Sequence, residues 1–249
     1  MNLPAYSEGL EHTYAFGRFA VTEALQRRPA DVACVLWHGA MPAAQAEAVR
    51  AAAARAGVAC LRDDATVTRL RRKANVFCLA QVSKRPERLQ ADADHVLMLR
   101  PSHPGNVGSA IRSMVAFGFL DLALVAPAVD PWGAYVVRAS VGLRFALRCQ
   151  TFDSLGGYLD EFGESSASAR TLYHLDAAGQ HELDSVRFRS PLALVFGPEW
   201  QDSAAGAGPD PRLERSLTVR IPQGNQVESL NLATSISIVT YRASRSALS

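Results

Sequence analysis

Three times along this chain an apolar, strand-like run stops at a proline or glycine and gives way to polar residues. Val96-Leu97-Met98-Leu99 leads to Pro101-Ser102-His103-Pro104-Gly105-Asn106. Leu192-Ala193-Leu194-Val195-Phe196 leads to Gly197-Pro198-Glu199-Trp200, and Leu217 to Ile221 leads to Pro222-Gln223-Gly224. Helical and strand-like segments alternate around these runs, which argues for a parallel sheet in an α/β protein. In such a sheet the C-terminal ends of the strands share one edge. Open α/β proteins hold their ligands there. The spacing therefore predicts three polar loops converging at one place.

The loops differ in chemistry. Ser229-Leu230-Asn231 opens an apolar run through Tyr241 that reads as a helix. A hydroxyl, a carboxamide and free backbone N–H groups then meet at a helix N-terminus. In the plainest reading Ser229 is the N-cap. In the first loop Asn106 reads as a turn residue. Arg112 falls in the first turns of a helix over Ser109–Phe117, with Ile111, Val115 and Phe117 apolar and Gly118 ending it. His103 reads as a loop or cap residue.

Three ordered motifs carry a family likeness. They are Asn106-Val107-Gly108-Ser109-Ala110-Ile111-Arg112 with Phe117-Gly118, then Gly197-Pro198-Glu199, then Ile221-Pro222 with Ser229-Leu230-Asn231. With these, roughly Asp94 to Tyr241 resembles the SpoU or TrmH-type branch of the SPOUT RNA methyltransferases. The resemblance implies a parallel-sheet SPOUT domain with a C-terminal trefoil knot, a rare exception to unknotted chains. It implies S-adenosyl-L-methionine (SAM) as cofactor, tRNA or rRNA as partner, and a homodimer through the C-terminal domain. The implied reaction is methyl transfer to a ribose 2′-OH.

The same resemblance implies a catalytic set of Arg112, Asn106, Glu199, Ser229 and Asn231. It implies cofactor binding through backbone at Gly197, Ile221 and Leu230. Arginine is a poor base, its pKa lying above about 12. Arg112 would instead steady a developing alkoxide or orient a phosphate that takes the proton. Asn106 and Asn231 would hold the ribose or tie loops together. Glu199 would position Arg112 or the substrate. Ser229 would bond the ribose or cap the last helix. Relatives usually continue Gly-x-Glu with Gly-Leu, whereas Trp200-Gln201-Asp202-Ser203-Ala204-Ala205-Gly206 stands here. That departure motivates a second reading, an RNA-binding protein of the same fold without catalysis. A Rossmann dinucleotide enzyme is disfavoured, because no Gly-x-Gly-x-x-Gly follows a strand.

Charge is uneven. Net charge is +2, but residues 1–90 hold 13 basic against 8 acidic side chains, and residues 91–249 hold 13 against 16. Arg69, Arg71, Arg72 and Lys73 cluster, with Lys84, Arg85 and Arg88 beyond. Such a patch attracts a phosphate backbone. No apolar run reaches the roughly 18 residues that span a bilayer. The first ten residues lack a signal pattern, so a cytoplasmic location is expected. Cys34, Cys60, Cys78 and Cys149 stand apart from one another and read as reduced thiols, without metal or disulfide.

The expected organisation is α/β throughout. Residues 1–84 form a small α/β domain, 85–94 a polar linker around Pro86, and 95–249 the SPOUT domain. In the first domain, strands at Asp31–Trp37, Val58–Leu61 and Val76–Val82 alternate with helices at Ala43–Ala56 and Thr66–Arg72, after a turn and short helix at Phe16–Leu25. This resembles the L30e/L7Ae-like substrate-binding domain. Further on, a helix is expected at Ala134–Val141, a strand at Arg144–Cys149 and a helix at Asp153–Phe162. Trp132 and Trp200 can stack on a base or simply pack. The Gly/Ala/Pro-rich stretch Ser203–Pro211 reads as a mobile loop.

Overall fold

The computed structural model describes residues 3–163, 169–197, 211–213, 216–224, 226 and 229–246. The chain divides into two compact units, Met1–Pro86 with Asp130–Ala146, and Glu87–Val129 with Leu147–Ser249.

The first unit is built on four strands: β1 (His12–Phe16), β2 (Val32–Trp37), β3 (Cys60–Arg62) and β4 (Cys78–Ser83). Their order is β1-β4-β2-β3. β4 runs antiparallel to β1 and β2, while β2 and β3 are parallel. β1 escaped the sequence reading because its residues do not alternate. Gly17, with φ 87, ends it by a left-handed step that favours glycine. The helices are α1 (Arg18–Arg27), α2 (Ala43–Arg55) and α3 (Asp64–Leu70). α1 buries Ala20, Val21, Ala24 and Leu25, and α2 buries Ala46, Val49, Ala52 and Ala53. α3 starts earlier than expected because the Asp63 carboxylate caps it, accepting from the Thr66 N–H at 2.9 Å.

Residues 130–146 complete this unit rather than the second. The expected helix is shorter, α5 (Ala134–Ala139), and the expected strand from Arg144 is instead a 3₁₀ turn over Leu143–Ala146. Val137 and Phe145 lie in one core cluster with Val21, Leu25 and Val35. The Thr13 hydroxyl donates to the Trp132 carbonyl at 2.5 Å, and Arg28 Nε to the Phe145 carbonyl at 2.8 Å. Gly142, with φ 85, lets the turn press on α1; a Cβ there would lie 2.6 Å from the Cα of Ala20. Arg144 is fully buried, its guanidinium 4.0 Å above the Trp132 ring. Trp132 is thus a packing residue.

Among the described residues the second unit forms a seven-stranded, all-parallel sheet. Its strands are β5 (His95–Leu99), β6 (Asp121–Val125), β7 (Arg148–Phe152), β8 (Thr171–Leu175), β9 (His181–Glu182), β10 (Leu192–Phe196) and β11 (Leu217–Arg220). They lie in the order β7-β6-β5-β10-β8-β11-β9. β6 and β10 are buried along their whole length, as strands covered on both faces should be; β10 is apolar throughout, while β6 opens with Asp121, paired to Arg148. The helices are α4 (Pro104–Ala116), α6 (Leu155–Phe162) and α7 (Leu232–Ser246).

The expected linker is not free. Leu89 N–H donates to Gln150 Oε1 at 3.1 Å and Gln90 N–H to Asp121 Oδ1 at 2.9 Å. Arg170 donates to the carbonyls of Ala93 at 2.7 Å and Ala91 at 2.8 Å. Residues 87–94 therefore belong to the second unit, the backbone groups of Leu89, Gln90, Ala91 and Ala93 being bonded by side chains of Gln150, Asp121 and Arg170.

Candidate active site

β5, β10 and β11 are parallel members of one sheet, so the loops after Leu99, Phe196 and Arg220 leave by the same edge. The first loop turns sharply. Arg100 takes a left-handed backbone, φ 49, while its N–H donates to the Val125 carbonyl at 2.9 Å. A non-glycine residue held there carries local strain, which concentrates at functional edges.

α4 begins at Pro104, five residues before the expected start. Pro-Gly reads as a turn, but proline at the first helical position has its φ preset and misses only an N–H that would be orphaned anyway. Asn106 is therefore a helix residue. The buried stripe is Val107, Ala110, Ile111 and Met114, while Val115 and Phe117 are only half-buried.

α7 begins at Leu232, and its cap is Asn231 rather than Ser229. Asn231 Oδ1 accepts from the N–H groups of Ala233 at 2.9 Å and Thr234 at 3.4 Å. Its Nδ2 donates to Asn106 Oδ1 at 3.0 Å. That bond joins the first and third motifs, 125 residues apart in sequence. Further along, the hydroxyls of Ser113 and Ser237 meet at 2.6 Å, and the rings of Phe117 and Tyr241 pack edge to face, 5.5 Å apart. The pairs 106/231, 113/237 and 117/241 advance together, so α4 and α7 run side by side in the same direction. Both helix N-termini, with their partial positive charge, point to the ligand edge of the sheet.

The remaining predicted residues take different positions. Ile221 and Leu230 are half-buried in the loop, and Ser229 is exposed. Gly197 follows β10 directly, with no described atom within 4 Å of where a side chain would begin. Arg112 is exposed on α4. It lies about 9 Å along the helix axis from Asn106 and about 100° around the helix from Ser113. The structure thus brings Asn106 and Asn231 together and leaves Arg112 on another face. Glu199, Trp200 and the stretch 203–210 lie outside the described residues.

One residue was missed in the sequence. Gln223, in the loop after Ile221, has its Oε1 buried without a hydrogen-bond partner among the described residues. A buried acceptor left unmade costs roughly 1–3 kcal/mol, so it suits a donor from a ligand. Its signal was position alone, two residues beyond the strand. His174 on β8 is half-buried; burial pushes its pKa down and Asp176 only partly offsets that. Among the described residues no group of His, Cys, Asp and Glu could hold a metal, and no helix is long and apolar enough to cross a membrane.

Residues 94–241, containing all three motifs, match the SpoU rRNA Methylase family. The chain belongs to the SpoU rRNA methylase family. An uncharacterized tRNA/rRNA methyltransferase of Synechocystis is 33% identical over 151 residues, 60% of this chain and 52% of that protein. A 23S rRNA (uridine(2479)-2′-O)-methyltransferase of Streptomyces viridochromogenes is 32% identical over 156 residues, 62% of this chain and 53% of that protein. The tRNA (cytidine/uridine/adenosine-2′-O-)-methyltransferase TrmJ of Pseudomonas aeruginosa is 31% identical over 157 residues, 60% of each chain. This chain therefore spans between half and three fifths of those relatives.

Two solved structures share the fold over nearly the whole chain. The SpoU methyltransferase AviRb of Streptomyces viridochromogenes, solved with AdoMet, superposes with a TM-score of 0.75 at 22% identity, covering 96% of this chain and 91% of AviRb. An RNA 2′-O ribose methyltransferase superposes with a TM-score of 0.75 at 24% identity, covering 96% and 90%.

Proposed function

We propose that this SpoU-family protein transfers a methyl group from SAM to a ribose 2′-OH of tRNA or rRNA. The observation that carries this reading is the Asn231–Asn106 hydrogen bond, which closes the first and third motifs over the ligand edge of the sheet. When bound, SAM would supply a sulfonium methyl, and its transfer to the ribose oxygen would leave S-adenosylhomocysteine, with the 2′-OH proton passing to a neighbouring phosphate or to solvent. The site residues fit such a ligand. Gln223 Oε1 is a buried acceptor awaiting a donor, and the space beside Gly197 admits a ligand against the backbone. Ile221 and Leu230 supply apolar walls and main-chain groups.

In this reading Asn106 and Asn231 hold the loop ends at fixed spacing, where positioning supplies much of the rate. Ser229, exposed and released from capping duty, is available to the ribose. Arg112 steadies the charge developing on the attacking oxygen or a neighbouring phosphate. A second copy of the chain covering the α4–α7 face would place this exposed arginine in an enclosed setting; Tyr241, 54% exposed, supports such a homodimer. The trefoil knot and an L30e-like, RNA-binding first unit belong to the same proposal.

Incubation with tritiated SAM and bulk RNA from a methylation-deficient host tests it. Label on tRNA or 23S rRNA, falling at least about a hundredfold in Arg112→Ala, is the expected outcome. Absence of label on every RNA class overturns it. Absence of SAM binding with RNA binding intact would then favour the non-catalytic RNA-binding reading.

A further inference from the structure

The first unit carries a shallow, open surface recess. Phe16 at the end of β1 and Val76 form its apolar floor, Arg72 and Lys73 come from the loop after α3, and Tyr135 and Arg138 from α5. No acid lines it. Among the described residues none of the three cations is in an ion pair.

The neighbouring residues explain why these groups face solvent. Arg71 turns its charge into the protein, Nη1 donating to the carbonyls of Ala74 at 2.9 Å and Val76 at 3.3 Å. That braces the loop, and Arg72 and Lys73 are left exposed. On α5, Val136 and Val137 are buried, while Tyr135 is 55% exposed. Tyr135 thus presents an exposed aromatic face beside three cations, open to a ligand that is both flat and anionic. A flat π-face flanked by positive charge matches a base and its phosphates. A base inside a duplex presents only its edge, so the fit is to an unpaired nucleotide.

We propose that this recess seats one unpaired nucleotide of the RNA substrate. The base stacks on Tyr135 against Phe16, and the flanking phosphates are held by Arg72, Lys73 and Arg138. The proposal rests on RNA being the substrate and names the feature of that RNA which the first unit reads.

Fluorescence anisotropy of the full chain tests it without cofactor, using a fluorescein-labelled single-stranded 12-nucleotide RNA of mixed sequence and the same strand in a duplex. Tyr135→Ala should weaken single-strand binding at least about fivefold, while Tyr135→Phe keeps it. The triple variant Arg72→Gln, Lys73→Gln, Arg138→Gln should reduce the slope of log affinity against log salt by about 2. Unchanged melting temperatures show that each variant folds. Tyr135→Ala binding like the unaltered protein overturns the proposal. So does an effect confined to the charge variant, equal binding of the duplex, or no binding of the single strand. Methyl transfer is measured separately. Its absence with these binding effects intact would sink the catalytic reading and leave the nucleotide seat standing.

Discussion

Asn231 uses one carboxamide for two purposes. Its oxygen satisfies two N–H groups at the start of α7, and its nitrogen reaches Asn106 on α4. The two roles are separable by substitution. Asn231→Ser keeps a capping oxygen but is too short to bridge to Asn106, so stability should change little while methyl transfer falls. Asn231→Ala loses the cap as well and should cost about 1 kcal/mol of stability. Denaturation midpoints and transfer rates of the two variants check this; full activity in Asn231→Ser would show that the bridge is dispensable. Both asparagines stand in the motifs that carry the family likeness, Asn106 read there as a turn residue and Asn231 as part of the Ser229-Leu230-Asn231 step. The sequence misassigned the cap, since Ser229 and Asn231 are both good capping residues and periodicity does not fix a helix start to within two positions.

Among the elements, β5 shows how the base of the second sheet is fastened. His95, its first residue, is fully buried. Its Nε2 lies 2.8 Å from the Gln90 carbonyl and its Nδ1 3.0 Å from the Tyr158 hydroxyl. That pattern suits a neutral ring donating from Nε2 and accepting at Nδ1. Burial pushes its pKa down to about 4, with Arg170 adding to the fall and the Gln90 bond and Asp121 opposing it. The folded-state pKa is thus below the unfolded value, and between the two the unfolded chain takes up a proton that the folded chain refuses. The stabilisation is complete above about pH 6.5 and is lost as pH falls toward about 4, amounting to roughly 3 kcal/mol. Urea midpoints at about pH 7 and about pH 4.5 should therefore separate less in His95→Gln than in the unaltered protein. An equal loss in both would show that other groups carry the acid sensitivity. None of this was legible beforehand, because residues 85–94 read as a linker. Their polar composition is the same whether they hang free or bond to Asp121, Gln150 and Arg170.

For the whole molecule, the parallel sheet and its alternation of strands and helices followed from local pattern. The division into units did not. The stretch 126–147 reads as an ordinary crossover between β6 and β7, and α5, with its apolar Val136 and Val137, would serve equally well to cover a parallel sheet. Only the long-range partners decide: Val137 and Phe145 are buried with Val21, Leu25 and Val35, and Gly142 is shaped to the backbone of α1. Residues 130–146 are thus a piece of the first unit's core inserted in the second unit's sequence. A fragment of residues 87–249 would carry Trp132, Val137 and Phe145 without the residues that bury them. It should aggregate on gel filtration. The same fragment with 130–146 replaced by a Gly/Ser linker should elute cleanly, provided the linker has about a dozen residues, the length a parallel crossover needs. If the intact fragment proves as well behaved and as heat-stable as the relinked one, the inserted segment does not depend on the first unit for its burial.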